Sequence, residues 1–241
     1  MKRIGILAHS AEGAALCFLE AVHAGERRLG AHFHPDIVMD IEAMGASMDD
    51  WEKRDFAPIT ARFAHAASRL KAAGADFWIC PDNTAHMAFE AMRQPLPLPG
   101  VHIAQIVADE AARRGYRKIG ITGTLWTMEG PVYSAAFTRR GVAFAAPPRP
   151  EREAVQAIIF DELVRGTVTD ASRAKLAAVV LGLKEQGCDA VVLGCTELPM
   201  LLDDTTSPLP TLDSTRLLAR AAVDVALGER PLPLWFGGPF G

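Results

Sequence analysis

The chain has 241 residues, 49% of them hydrophobic and 22% charged, with a formal net charge of -4. That length buries a core without disulfide staples, and the mild acidity lacks the basic excess with which nucleic-acid binders hold phosphates. No uninterrupted apolar run reaches the roughly 18 residues of a membrane span, and the opening Met1–Leu7 is broken too soon by His9, Ser10 and Glu12 to read as a signal peptide. The expectation is a cytoplasmic protein that uses neither nucleic acid nor a membrane as partner.

Arg3 to Ala8 reads as a short buried strand, followed by the polar break His9-Ser10-Ala11-Glu12-Gly13 and by Ala14 to Arg28 at helical spacing. Ile37-Val38-Met39 is a second apolar run, and Glu42 to Trp51 is polar and irregular, as suits a loop near a pocket. Asp55 to Gly74 sets Ile59, Phe63, Ala66, Ala67 and Leu70 on one helical face and stops at Gly74. Asp76 to Cys80 is a strand, and Asn83 to Met92 a helix with Asp82 or Asn83 at its N-cap. The run Gln94-Pro95-Leu96-Pro97-Leu98-Pro99-Gly100 breaks any helix and marks a crossover.

The pattern then repeats. Val101 to Arg114 is helical, Lys118 to Thr122 a strand ending in Gly123-Thr124, Thr127 to Arg139 helical, and Gly141 to Pro150 turns through prolines. Glu151 to Val164 and Thr169 to Gln186 read as helices, then comes the strand Val191-Val192-Leu193-Gly194 running into Cys195, a second proline-marked crossing at Ser207-Pro208-Leu209-Pro210, and a last helix from Ser214 to Leu227. From Gly5 to Gly74 is 69 residues and from Gly120 to Gly187 is 67, and eight residues separate Gly74 from Asp82 and Gly187 from Cys195. Strands alternating with helices predict parallel sheets, whose carboxyl ends gather ligands. Two such domains facing each other would set Asp82 and Cys195 on opposite walls of one cleft.

Cys17, Cys80, Cys188 and Cys195 form no CxxC pair and no disulfide-scaffold density, so neither a zinc site nor a stapled fold is expected. Acid/base groups on both faces of one carbon are what stereoinversion requires, since one removes a proton and the other delivers one. A helix N-terminus after Cys195 would favour its thiolate. The backbone N–H groups of Asn83 and Thr84, and of Thr196 and Glu197, would offer two anion sites for a substrate carboxylate. Asp82, with an unperturbed pKa near 3.9, needs a raised value to match a thiol, and a dry pocket beside a thiolate would raise it. His9 and Ser10 in the first loop are candidate binding groups, and Arg173 a candidate reader of a distal carboxylate.

Gly194-Cys195-Thr196-Glu197-Leu198, Asn83-Thr84-Ala85-His86 and Gly123-Thr124-Leu125-Trp126-Thr127-Met128-Glu129 resemble the aspartate/glutamate racemase family. Ile158-Ile159-Phe160-Asp161-Glu162-Leu163 and Ala171-Ser172-Arg173 resemble it too. The resemblance implies two pseudo-symmetric α/β domains with parallel sheets, one of residues 1–97 with 212–241 and the other of residues 98–211, and an active site between them. It also implies a homodimeric isomerase independent of cofactors, pyridoxal phosphate included, and of metals, with Thr124, Thr127 and Thr196 as ligand hydroxyls.

In most members of that family a cysteine directly precedes the Asn-Thr pair; here that position is Asp82, and the first loop also departs from the family's Gly-rich form. The reading is an amino-acid racemase or epimerase, of aspartate- or glutamate-like specificity, using Cys195 opposed by Asp82. A cysteine-dependent decarboxylase or isomerase of a small carboxylic acid, and a carboxylate-binding protein without turnover, stand as alternatives.

Overall fold

A computed structural model describes residues 1–239, so the last two residues of the expected 212–241 segment lie outside the described ones. Its contacts divide into two compact units, Met1–Ile103 with the residues from Thr215 onward, and Ala104–Ser214.

In the first unit, β1 (Ile4–Ala8) leads into α1 (Ala11–Leu29), then β2 (Ile37–Ile41), α2 (Met48–Lys53), α3 (Phe56–Ala72), β3 (Phe77–Ile79), α4 (Ala85–Glu90) and β4 (Gly100–Val101). The helix α5 (Ile103–Arg113) carries the chain into the second unit. There β5 (Lys118–Gly123), α6 (Leu125–Glu129), α7 (Pro131–Arg139), β6 (Ala143–Ala145), α8 (Arg149–Ala157), α9 (Asp170–Glu185), β7 (Ala190–Gly194) and β8 (Thr211–Asp213) come in turn, and α10 (Ser214–Leu227) returns the chain to the first.

Each unit holds a four-stranded parallel sheet, in the orders β2-β1-β3-β4 and β6-β5-β7-β8. The fold class is α/β with the same topology twice. Equivalence extends to single bonds. Gly5 lies in register with Trp78 and Gly120 with Val191. Backbone N–H groups of Arg3 and Arg117 each donate to a carboxylate, Asp76 and Asp189, at 2.6 Å. The helices α3 and α9 both end at a glycine with positive φ, Gly74 at 87° and Gly187 at 83°, a conformation that glycine adopts without a Cβ clash. Leu70 and Leu183, four residues before them, pack on Gly5 and Gly120, where an added Cβ would come within 3.3 and 2.7 Å.

Helix α10 and the segment after it are tied to the first unit. Lys2 N–H donates to the Ala226 carbonyl at 2.9 Å and Gly100 N–H to the Trp235 carbonyl at 2.7 Å. Trp235 thereby joins a core of Trp51, Phe63, Trp78 and Phe89, in which the Trp78 and Phe89 rings stack at 4.6 Å.

The structure differs from the sequence reading in several elements. The stretch 42–51 is not irregular: Met44–Ser47 forms a 3₁₀ turn and α2 comes directly after it, held by burial of Trp51. Gly100–Val101, read as crossover and helix, is an edge strand, and Ala143–Ala145 is another. Both are too short to show a period. The expected boundaries at 97/98 and 211/212 lie a few residues short of the unit limits, because Gly100–Val101 bonds into the first sheet and Thr211–Asp213 into the second. The expected helix over 127–139 is broken at Gly130-Pro131, where proline starts a new helix more readily than it continues one. The expected helix over 151–164 changes to a π turn at Ile158–Glu162 and a 3₁₀ turn at Leu163–Arg165.

Candidate functional site

In the first unit the chain leaves β3 at Ile79 and turns through Asp82, Asn83 and Thr84 into α4. The Asp82 side chain is 14% exposed, and both its oxygens are engaged. Oδ1 accepts from the Ala85 N–H at 3.1 Å, an N-terminal capping bond. Oδ2 lies 2.6 Å from Nδ1 of His9, which comes from the loop after the neighbouring strand β1. The other ring nitrogen of His9, Nε2, accepts from the indole N–H of Trp51 at 3.0 Å. Because an indole nitrogen only donates, this bond requires a bare Nε2 and so a proton on Nδ1, while the Ser47 hydroxyl, which donates to the Met44 carbonyl, lies 3.4 Å from Nε2.

Burial by itself would raise the Asp82 carboxyl, but His9 and then the Ala85 N–H outweigh it and hold the group below the usual carboxylate range. The expected upward shift is thus corrected: the sequence could not show that a histidine from another loop meets this carboxylate. His86 is neutral. Its Nδ1 bonds the Asp82 carbonyl at 2.9 Å and its Nε2 accepts from Ile103 N–H at 3.2 Å, while burial and then His102 lower its pKa to about 3. Cys80 is fully buried, and burial and the Asp82 charge push its thiol well up. It stays a packing residue. Asn83 is buried and Thr84 half-buried at the turn, and Ser10 stands at the α1 N-cap position without a side-chain capping bond. A cavity of about 20 Å³, room for roughly one water, lies beside His9, with Ser47, Glu42, Arg62 and Phe63 among its walls.

In the second unit Cys195 is the first residue beyond β7, part-exposed, with Sγ 2.8 Å from Oε2 of Glu197. Glu197 is only 5% exposed, so a carboxylate sits against the thiol with little water to screen it. The turn closes by Leu198 N–H donating to the Cys195 carbonyl at 3.2 Å. The chain then forms a three-residue 3₁₀ turn, Leu198–Met200, in place of the α-helix expected there. Proline at position 199 removes a donor, and a turn a few residues on holds the chain to Asp203. No α-helix N-terminus therefore stands there to favour a thiolate, and the thiol instead donates to a carboxylate side chain.

Thr124 caps α6, its hydroxyl accepting from Thr127 N–H at 3.2 Å, and the two hydroxyls are 3.1 Å apart. Gly123 and Gly194 are in register at the ends of β5 and β7, and a Cβ on Gly194 would come within 3.0 Å of the Thr127 methyl. Thr124 and Thr127 thus border the strand end that carries Cys195. Thr196 is half-buried in its turn. The Arg173 guanidinium donates to the Leu201 carbonyl and so anchors the chain just past the Cys195 turn.

A sequence model of the Asp/Glu/hydantoin racemases matches residues 11–222. The chain belongs to that family. It is 30% identical over 182 residues to a glutamate racemase of Pseudomonas entomophila, a match covering 72% of this chain and 66% of that enzyme, just under two thirds of its length. It is 27% identical over 164 residues to the broad specificity amino-acid racemase RacX of Bacillus subtilis, covering 67% of this chain and 69% of that enzyme. The crystal structure of an Asp/Glu racemase candidate from Yersinia pestis superposes with a TM-score of 0.87 at 30% identity, covering 94% of this chain and 100% of that one.

Within the racemase fold the two strand ends correspond by register, since Asp82 lies four residues past Trp78 and Cys195 four past Val191. Sequence reasoning missed Trp51 and the contact of the Glu197 side chain with Cys195. The only signal for Trp51 was a large aromatic in an otherwise polar stretch. Among the described residues no helix is long and apolar enough to cross a membrane, and no group of three metal-ligating side chains occurs.

Proposed function

We propose that the protein is a cofactor-independent racemase or epimerase of an amino acid, with Asp82 and Cys195 working on opposite faces of the α-carbon. The observation that supports this most is their equivalent place past β3 and β7. In one direction the Asp82 carboxylate takes the α-proton, leaving a carbanion whose charge spreads onto the substrate carboxylate. The Cys195 thiol then gives its S–H proton to the other face. The step ends with Asp82 as the acid and Cys195 as the thiolate, the state from which the reverse reaction starts. Glu197, beside the sulfur, is the group through which the thiol regains or loses its proton.

The turns at Asn83-Thr84 and Thr196-Glu197, with Ser10 and the Thr124 and Thr127 hydroxyls, are the proposed hold on the substrate's carboxylate and ammonium. Glutamate, the substrate named for one relative, and aspartate are the first candidates, ahead of the wider range that a broad-specificity relative takes. A second reading has its own support. Asp82 held as an anion is a poor acid, so a reaction that needs a proton from one face only, such as a cysteine-dependent decarboxylation, would run on Cys195 alone.

Incubation of L- and D-amino acids in deuterated water tests both. Racemisation incorporates deuterium at the α-carbon with inversion, and Cys195→Ala lowers that rate by about 10²–10⁴-fold. Release of CO₂ without inversion would replace the racemase reading by the second, and full turnover by Cys195→Ala would remove both.

A further inference from the structure

The first loop was expected to touch substrate, yet both nitrogens of His9 are engaged within the first unit. We propose that His9 is a positioning residue and not a substrate ligand: Trp51 fixes its tautomer, and the Nδ1–H it then presents keeps the Asp82 carboxylate ionised and aimed as the base of this strand end. The proposal rests on the reading of Asp82 as a proton acceptor.

Three features of the geometry carry it. The imidazole stands edge-on to Trp51, with ring centres 5.6 Å apart, and to Phe63 at 5.7 Å, so it cannot turn without repacking the core. Its Nε2 faces the indole N–H, which only donates, at 3.0 Å, with the Ser47 hydroxyl farther off at 3.4 Å, so a proton on Nε2 would stand against the nearer N–H. Asp82 Oδ2 faces the resulting N–H and Oδ1 faces the Ala85 N–H, and hydrogen bonds donated to both oxygens favour the ionised form. The groups facing this pair are His86 from α4, which is neutral, Cys80 from the same turn, and Ser47, Glu42 and Arg62 around the cavity beside His9. Trp51 therefore acts on the base through one intervening ring, from a helix that carries none of the family-like motifs.

The test is made on the free protein, by nitrogen-15 NMR of the histidines and carbon-13 NMR of the Asp82 carboxyl. The neutral His9 ring is expected to hold its proton on Nδ1 with Nε2 bare. Trp51→Phe, which keeps an aromatic ring and drops the donor, lets the Nε2–H tautomer of His9 appear. His9→Leu raises the pH at which Asp82 titrates, and with it the acid limb of the α-hydrogen exchange rate, by about one pH unit or more. His9→Asn, whose amide N–H can stand in for Nδ1–H, restores most of the shift. A wild-type His9 with its proton on Nε2, or an Asp82 titration unmoved in His9→Leu, would overturn the proposal, and the tautomer alone decides it should His9→Leu not fold. If these shifts hold while no exchange occurs with any amino acid, the racemase reading fails and the pairing of His9 with Asp82 stands.

Discussion

At the end of β3 the group is a carboxylate whose partner, His9, comes from a different loop and meets it at 2.6 Å. At the end of β7 it is a thiol whose partner, Glu197, lies two residues along the same turn and accepts from it. The first turn runs into an α-helix and the second into a 3₁₀ turn. The backbone frame is duplicated down to single hydrogen bonds, yet the side chains are bonded in opposite senses: the Asp82 carboxylate accepts from the Ala85 N–H, and the Cys195 thiol donates to Glu197. The titratable surroundings diverge as well, since all seven histidines precede residue 103 and the second unit has none.

The sharpest way to break this comparison is Asp82→Asn. The amide oxygen can still cap Ala85, so the fold should persist while catalysis falls by about 10²–10⁴-fold. A racemisation has an equilibrium constant of unity, so kcat/KM must fall equally for both enantiomers. Unequal losses would show that the reaction is not racemisation. Glu197→Gln keeps the volume beside the sulfur and removes its proton acceptor. A loss of about tenfold in kcat with little change in KM is expected, and an unchanged kcat would leave Glu197 a turn residue.

The last contrast concerns acid stability. His86, with a folded pKa of about 3 against roughly 6.5 in the unfolded chain, is protonated first in the unfolded state. Its contribution is complete above about pH 6.5 and is lost as the pH falls toward 3, with a slope of up to about 1.4 kcal/mol per pH unit. The lowered Asp82 adds a further loss below the ordinary carboxylate range. Hydrogen-exchange protection should therefore weaken in the first unit before the second on acidification. Simultaneous weakening would mean that the two units do not differ in this respect.

Much of the fold was legible because the repeat is written in local signals: Ile-Gly-Ile strands, helices stopped by Gly74 and Gly187, and apolar runs that end at Asp82 and Cys195. The helix from Ser214 to Leu227 has the ends read from its pattern. The edge strands at Gly100 and Ala143 were not legible, since two or three residues carry no periodicity and pair only because a sheet is already there. The short 3₁₀ turn after Cys195 was hidden for a similar reason, as a proline at 199 is compatible with the first turn of an α-helix too.

The sequence by itself determined the α/β alternation, the twofold repeat, the family and the place of a carboxylate opposite a thiol in that repeat, because each of these depends on spacing along the chain. Only the tertiary structure decided the charge on that carboxylate. Trp51 and Asp82 stand 42 and 73 residues from His9, and a hydrogen-bonded chain of that reach exists only once β1 and β3 lie side by side and the helix carrying Trp51 packs over them.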